Sequence, residues 1–128
     1  MKKLVAVFLL LTCLPALFAE DLPKDCLGRY AGEMPAYTAV KNDVEMNIQK
    51  HDVRIHITRY EITYESGLIE VKGTYTFFKE SASQYLIKAK MTNGKNLAYE
   101  MDLVWNKKAR TLFLAGKNGE PDVTLEKI

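Results

Sequence analysis

From Val44 onward, apolar and polar residues alternate with a period of two. Val44, Met46 and Ile48 are interleaved with Glu45, Asn47 and Gln49, and Val53, Ile55 and Ile57 with Arg54, His56 and Thr58. The pattern continues through Tyr60, Ile62 and Tyr64, through Ile69, Val71, Tyr75 and Phe77, and through Tyr85, Ile87, Ala89 and Met91. Leu97, Tyr99, Met101, Leu103 and Trp105 extend it, and shorter runs at 111–115 and 123–125 complete it. Successive side chains of a strand point to opposite faces, so each run describes a strand with one dry and one wet face, as in an antiparallel sheet.

Parity constrains the connections, because paired residues point to the same face. Between Tyr64 and Ile69 the inward positions change from even to odd, which requires an even loop. A two-residue turn at Ser66-Gly67 satisfies this and sets Glu61 opposite Lys72 and Tyr60 opposite Gly73. Between Met91 and Leu97 the parity is conserved, so a three-residue loop, Thr92-Asn93-Gly94 with Gly94 left-handed, is expected to pair Ile87 with Tyr99 and Tyr85 with Met101. A four-residue loop from Lys107 to Arg110 sets Val104 opposite Phe113. The inward face also switches parity between Ile57 and Tyr60 without a turn residue, which predicts a β-bulge near Thr58-Arg59 bending one long strand over 52–65.

A first strand at Gly28 to Met34 brings the number to eight, or nine if the bend divides the long strand. Eight antiparallel strands in meander order predict an all-β fold, a single up-and-down barrel whose closure removes exposed edges. A two-sheet β-sandwich is the alternative. Only Met34 to Asn42 lacks strand character, and Met34, Tyr37 and Val40 at three-residue spacing predict a helical turn across one mouth.

The N-terminus changes the picture of where this domain works. Lys2 and Lys3 precede an apolar run from Leu4 to Leu11, followed by a mixed stretch ending Ala16-Leu17-Phe18-Ala19. This is the layout of a cleavable export signal over residues 1–19, leaving one domain at 20–128. The run is too short to span a bilayer, which takes roughly 20 residues. Lipoprotein processing at Cys13 is the competing reading. The chain carries 18 basic and 16 acidic side chains; with Lys2 and Lys3 removed the two signs balance. That argues against nucleic acid held by bulk electrostatics. Cys26 is then the only cysteine, so no internal disulfide is expected. The localisation implied is periplasmic or secreted, and the short lysine-rich signal points to a bacterium.

The segment Gly28-Arg29-Tyr30-Ala31-Gly32-Glu33-Met34-Pro35 opens the first strand. It resembles the Gly-x-Trp opening of lipocalin-like proteins, with Tyr30 in the tryptophan's place. It also resembles the Tyr-x-Gly-x-x-Pro opening of small envelope barrels of the NlpE N-terminal type. The cysteine pair that follows the proline in that family is replaced by Ala36-Tyr37-Thr38, so no cysteine-based metal or redox role is implied. Both resemblances imply a barrel.

No nucleophile elbow, phosphate loop or dinucleotide fingerprint occurs. His51, Asp52 and His56 fall short of a ligand set; no cofactor, no metal and no catalytic residue are assigned, and the expectation is a non-enzymatic protein. The inward set is rich in aromatics and methionine: Met46, Tyr60, Tyr64, Tyr75, Tyr85, Tyr99, Met101 and Trp105, with Phe77. Such side chains either line a cavity for an apolar small molecule or lipid, with tyrosine hydroxyls fixing a polar end, or simply fill an eight-stranded barrel. Val104 and Phe113 on the outer face mark either a partner surface or the place where a leader containing Leu22 and Leu27 packs. Two functions follow: a carrier using the barrel interior or mouth, or a protein-binding barrel such as a secreted hydrolase inhibitor, acting through loops 34–42, with Tyr37, or 117–121.

Overall fold

The structure is a computed structural model and describes residues 22–67, 69–94, 98–117 and 119–128. The expected export signal with Cys13, and Leu97, lie outside them. Ten strands occur among the described residues: β1 (Gly28–Met34), β2 (Tyr37–Lys41), β3 (Val44–Ile48), β4 (His51–Ile57), β5 (Ile62–Ser66), β6 (Ile69–Lys79), β7 (Gln84–Thr92), β8 (Ala98–Asn106), β9 (Thr111–Leu114) and β10 (Val123–Lys127). Eight of them close an antiparallel barrel in the order β1-β10-β9-β8-β7-β6-β5-β4, and β2 with β3 forms a separate two-stranded sheet. The barrel is thus the meander expected from the alternation, and the sandwich is excluded.

The eight barrel strands are not the eight read from the sequence. The expected long bent strand is two strands, β4 and β5, paired Ile57↔Ile62 through a four-residue turn. Thr58 closes that turn: its N–H donates to the Glu61 carbonyl at 2.9 Å, and its Oγ1 accepts from the Glu61 N–H at 3.1 Å. A side-chain-closed turn needs neither glycine nor proline, so a parity switch that looked like a bulge is a full reversal. Conversely, β3 is not a barrel strand. Residues 34–42 hold no helical turn; β2 pairs with β3 from Tyr37↔Ile48 to Lys41↔Val44. Asn42 and Asp43 form the two-residue turn at φ 54° and 63°, values that Asn and Asp tolerate through local side-chain hydrogen bonding.

Two registers also differ from expectation. In β5–β6 the pairs are Ser66↔Ile69, Thr63↔Lys72 and Ile62↔Gly73, so two residues separate the paired ends. Gly67 takes the left-handed first position at φ 60°, which moves the pairing by two residues and keeps its parity. Glu65 then faces Glu70, offset by Arg54 on its other side. In β7–β8 the pairs are Ile87↔Leu103, Tyr85↔Trp105 and Thr92↔Ala98. Five residues therefore separate the paired ends, still an odd number, and Gly94 is left-handed at φ 79°. Val104↔Phe113 stands as expected.

The two ends of the barrel differ. At one end the leader folds over the interior. Leu22 and Cys26 are buried, and a turn is held by Cys26 N–H to Pro23 O at 2.9 Å. Tyr30 lies beneath it and donates from its hydroxyl to the Cys26 carbonyl at 2.7 Å. Burial pushes the Cys26 thiol up to about 12, against a smaller lowering by Tyr30 and Lys127. Burial likewise raises the Tyr30 hydroxyl, with Cys26 adding to the effect. Trp105 Nε1 has no acceptor in bonding geometry, although the Tyr30 hydroxyl lies near it. This end is closed. At the other end Met34, His51, Ser66 and Ile69 form the rim, and the β2–β3 hairpin stands beside it. Among the described residues no helix is long and apolar enough to cross a membrane.

Candidate functional site at the open mouth

The aromatic and methionine residues expected inside the barrel do not form one site. Met46 lies on the separate hairpin and is 45% exposed, and Tyr60 lies in the β4–β5 turn, 76% exposed, with Arg59 over its ring. Both are outside the interior, because β3 pairs with β2 and not with the barrel, and because Tyr60 falls in a turn and not within a strand. Tyr75, Phe77, Tyr85 and Trp105 form a continuous aromatic ladder, with successive centroids 6.5, 6.4 and 5.6 Å apart. The Tyr75 hydroxyl is used structurally, donating at 2.6 Å to the carbonyl of Thr58 in the β4–β5 turn. Met101 is buried beside Ala89. Tyr85, Met101 and Trp105 belong to the buried core, and Tyr75 and Phe77 pack against it.

Tyr64 and Tyr99 are different. Their rings stack near the open mouth, centroids 5.6 Å apart and planes 13° from parallel, and both line a cavity of about 710 Å³. Met34, Ile48 and Ile69 supply apolar wall, Tyr37 from β2 faces in, and Gln49, Lys50, His51, Ser66, Gly67 and Glu120 complete the lining. Ligand cavities fall in a range of roughly 300–1,000 Å³, mostly apolar with a few polar groups, and this one fits. The hairpin contributes because its pairing puts Tyr37 and Ile48 on one face, toward the barrel rim.

The polar groups of the cavity are fixed from both sides. His51 Nδ1 lies 3.0 Å from the Gln49 carbonyl and Nε2 lies 2.7 Å from Ser66 Oγ. A carbonyl only accepts, so Nδ1 donates to it, and in the neutral ring Nε2 then accepts from the serine. The Tyr64 hydroxyl meets Ser66 on one side and Tyr99 on the other. Tyr99 in turn donates to the Glu120 carboxylate, at 3.2 Å to Oε2 and 3.3 Å to Oε1. Burial raises the Tyr64 and Tyr99 hydroxyls, and Glu120's charge adds to it in each. Tyr37 is raised by burial first and then by Glu120. The three phenols stay neutral and keep their protons for donation.

Glu120 is not singled out by the sequence reading, beyond its place in the loop 117–121. It comes from the β9–β10 loop, which folds so tightly that a side chain at Gly116 would lie 1.9 Å from the Glu120 carbonyl. The Gly116 N–H donates to Asp122 Oδ1 at 2.7 Å, and Glu120 N–H to the Lys117 carbonyl at 3.0 Å. Lys117 is itself tied to β8, 3.5 Å from Asp102. Alternation breaks off in this stretch, so no periodicity marks the carboxylate as inward.

Elsewhere, a cleft of about 280 Å³ on the outer wall is lined by Arg29, Arg54, His56, Thr63, Glu70 and Lys72 among others, a mixed-charge surface without a converging set. His56 and Asp52 face outward on β4 while His51 faces the mouth, so these three do not share an ion. No metal-binding group of three His, Cys, Asp or Glu side chains occurs among the described residues. On the outer wall, the Val104–Phe113 pair is part of a longer row: Phe78↔Leu86, Leu86↔Val104 and Val104↔Phe113 align four apolar side chains across β6 to β9. Phe78 is 51% and Phe113 36% exposed. The leader does not account for this row, since Leu22 joins the interior cluster and Leu27 packs against it. Comparison of the chain with protein-family models, with curated proteins and with solved structures finds no match in any of the three.

Proposed function

We propose that this chain is an exported, non-enzymatic binding protein, periplasmic or secreted, that holds an apolar small molecule or lipid at the mouth of a lipocalin-like barrel. The observation that supports it is the cavity of about 710 Å³ between the hairpin and the rim, walled by Met34, Ile48, Ile69 and three tyrosines. The closed end is packed with aromatics, so the ligand sits at the mouth and not along the barrel axis. Native mass spectrometry of the protein purified from cells that export it, under gentle and then denaturing conditions, tests this. An apolar species that leaves on denaturation, and is absent from an Ile48→Asp variant, is the expected result. An empty protein that takes up no medium-chain amphiphile overturns it.

The row Phe78–Leu86–Val104–Phe113 supports a second reading, a barrel that binds another protein through its outer wall. An exposed apolar row rimmed by polar residues is the usual mark of a partner surface. A photo-crosslinking residue at position 113 should then give one discrete adduct in the producing cells, and the same group at position 124 none. Equal, diffuse labelling at both positions counts against it.

A further inference from the structure

The mouth cavity combines features that specify more than apolarity. Tyr37, Tyr64 and Tyr99 all line it, and they come from three different strands, so the fold gathers them. Glu120 lines it too, half-buried. Its carboxylate has about four acceptor positions, and Tyr99 is its one side-chain donor among the described residues. None of the described cations pairs with it: the ion pairs among those residues are Lys72–Glu70 and Lys117–Asp102. Lys50 stands at the rim of the cavity, exposed, without joining the carboxylate. His51 already uses both ring nitrogens.

A half-buried carboxylate that no described cation pairs with, bonded by the Tyr99 hydroxyl and sharing its cavity with two further tyrosines and an apolar wall, is complementary to one chemical class. We infer that the mouth binds a cationic amphiphile, an alkylammonium head seated against Glu120 and the faces of Tyr37, Tyr64 and Tyr99, with its chain along Met34, Ile48 and Ile69. The ring quadrupoles attract a cation over their faces, and the carboxylate supplies the opposite charge. A quaternary or tertiary ammonium suits the site better than a primary amine, because its methyl groups match the rings and lose less hydration. Anionic heads are disfavoured by the same carboxylate. The neutral phenols agree with this, since Glu120 and burial together hold their protons on.

This inference rests on the carrier reading, and the two fail separately. Decyltrimethylammonium, 1-decanol and decanoate are titrated into the full protein below their aggregation limits by calorimetry. The methyl signals of Ile48 and Ile69 locate the bound chain. The expected order is cation tightest, by about tenfold over the alcohol, with decanoate weakest. Glu120→Gln, an isosteric change in a loop, weakens the cation until cation and alcohol bind to within about twofold of each other. Tyr37→Leu, on the hairpin outside the barrel ladder, weakens the cation more than the alcohol. Equal binding of all three, or tightest binding of decanoate, overturns the cationic assignment and leaves an apolar carrier. Binding of none, with unshifted Ile48 and Ile69 methyls, overturns both.

Discussion

The Tyr30 hydroxyl donates to the carbonyl of Cys26 across 2.7 Å, inside a region where both residues are fully buried. A side chain on the first barrel strand thereby pins the turn that closes the barrel over it. Tyr30→Phe keeps the ring and removes the donor, leaving a buried carbonyl without its partner. The expected loss is about 1–2 kcal/mol, read from urea midpoints followed by Trp105 fluorescence. An unchanged midpoint would show that water replaces the phenol and that the closed end is not dry.

The Cys26 thiol is expected to be inert in the folded protein. Burial pushes it up to about 12, so the thiolate that reacts is scarce at pH 8, and the sulfur is shielded as well. A thiol reagent such as Ellman's should label the chain only in denaturant. Rapid labelling without denaturant would mean that the leader lifts away from the barrel.

Alkaline pH should destabilise the fold before it affects anything else. Cys26, Tyr30 and Tyr64 all have raised values, and burial is the largest cause in each. The folded chain therefore keeps protons that the unfolded chain gives up from 9.0 for the thiol and 10.0 for the phenols. Their contribution is complete below those values and is lost as pH rises toward the folded ones, at about 1.4 kcal/mol per pH unit for each group fully withheld. Unfolding midpoints should be flat from pH 7 to 8.5 and fall from about pH 9. A Cys26→Ala, Tyr30→Phe double variant should fall less steeply.

Gly73→Ala is expected to be severe. An added methyl would stand 1.9 Å from the Lys90 carbonyl on the paired strand, and backbone must move to admit it. A cost of about 3 kcal/mol is in keeping with overpacking of an interior. Tyr60→Ala, by contrast, removes a ring that is 76% exposed and should change stability by about 0.5 kcal/mol or less. Both are measured by thermal melts. Reversed sensitivities would restore the register in which Tyr60 covers Gly73.

How far the sequence could be read depended on which forces act locally. Alternation identified the barrel strands because burial of one face is written into every second residue. Register was harder: pairing Glu61 with Lys72 looked favourable, yet Gly67 at the first turn position and the inner face decided the outcome. The charges adapt, as exposed pairs contribute little. The hairpin was missed because Asn42-Asp43 lacks a glycine and because Val40, Val44 and Met46 are exposed, so its apolar residues gave no consistent inward face. For the mouth, Tyr64 and Tyr99 were readable as inward, whereas Ile48, His51, Ser66 and Glu120 sit at strand ends and in a loop, where only closure of the barrel brings them together.

The β2–β3 hairpin shares no ladder with the eight barrel strands; its backbone bonds run between its own two strands. Pro35-Ala36 and Gln49-Lys50 are its only chain links to the rim. Amide protons on Tyr37–Lys41 and Val44–Ile48 can therefore exchange with solvent through openings that leave every barrel hydrogen bond in place, while those of β7 and β8 wait for global unfolding. The wall of the mouth that carries Tyr37 and Ile48 has its own, smaller opening free energy. Opening of the mouth and melting of the barrel are then separate events, and substitutions in the hairpin can tune how often the mouth opens without changing how stable the barrel is.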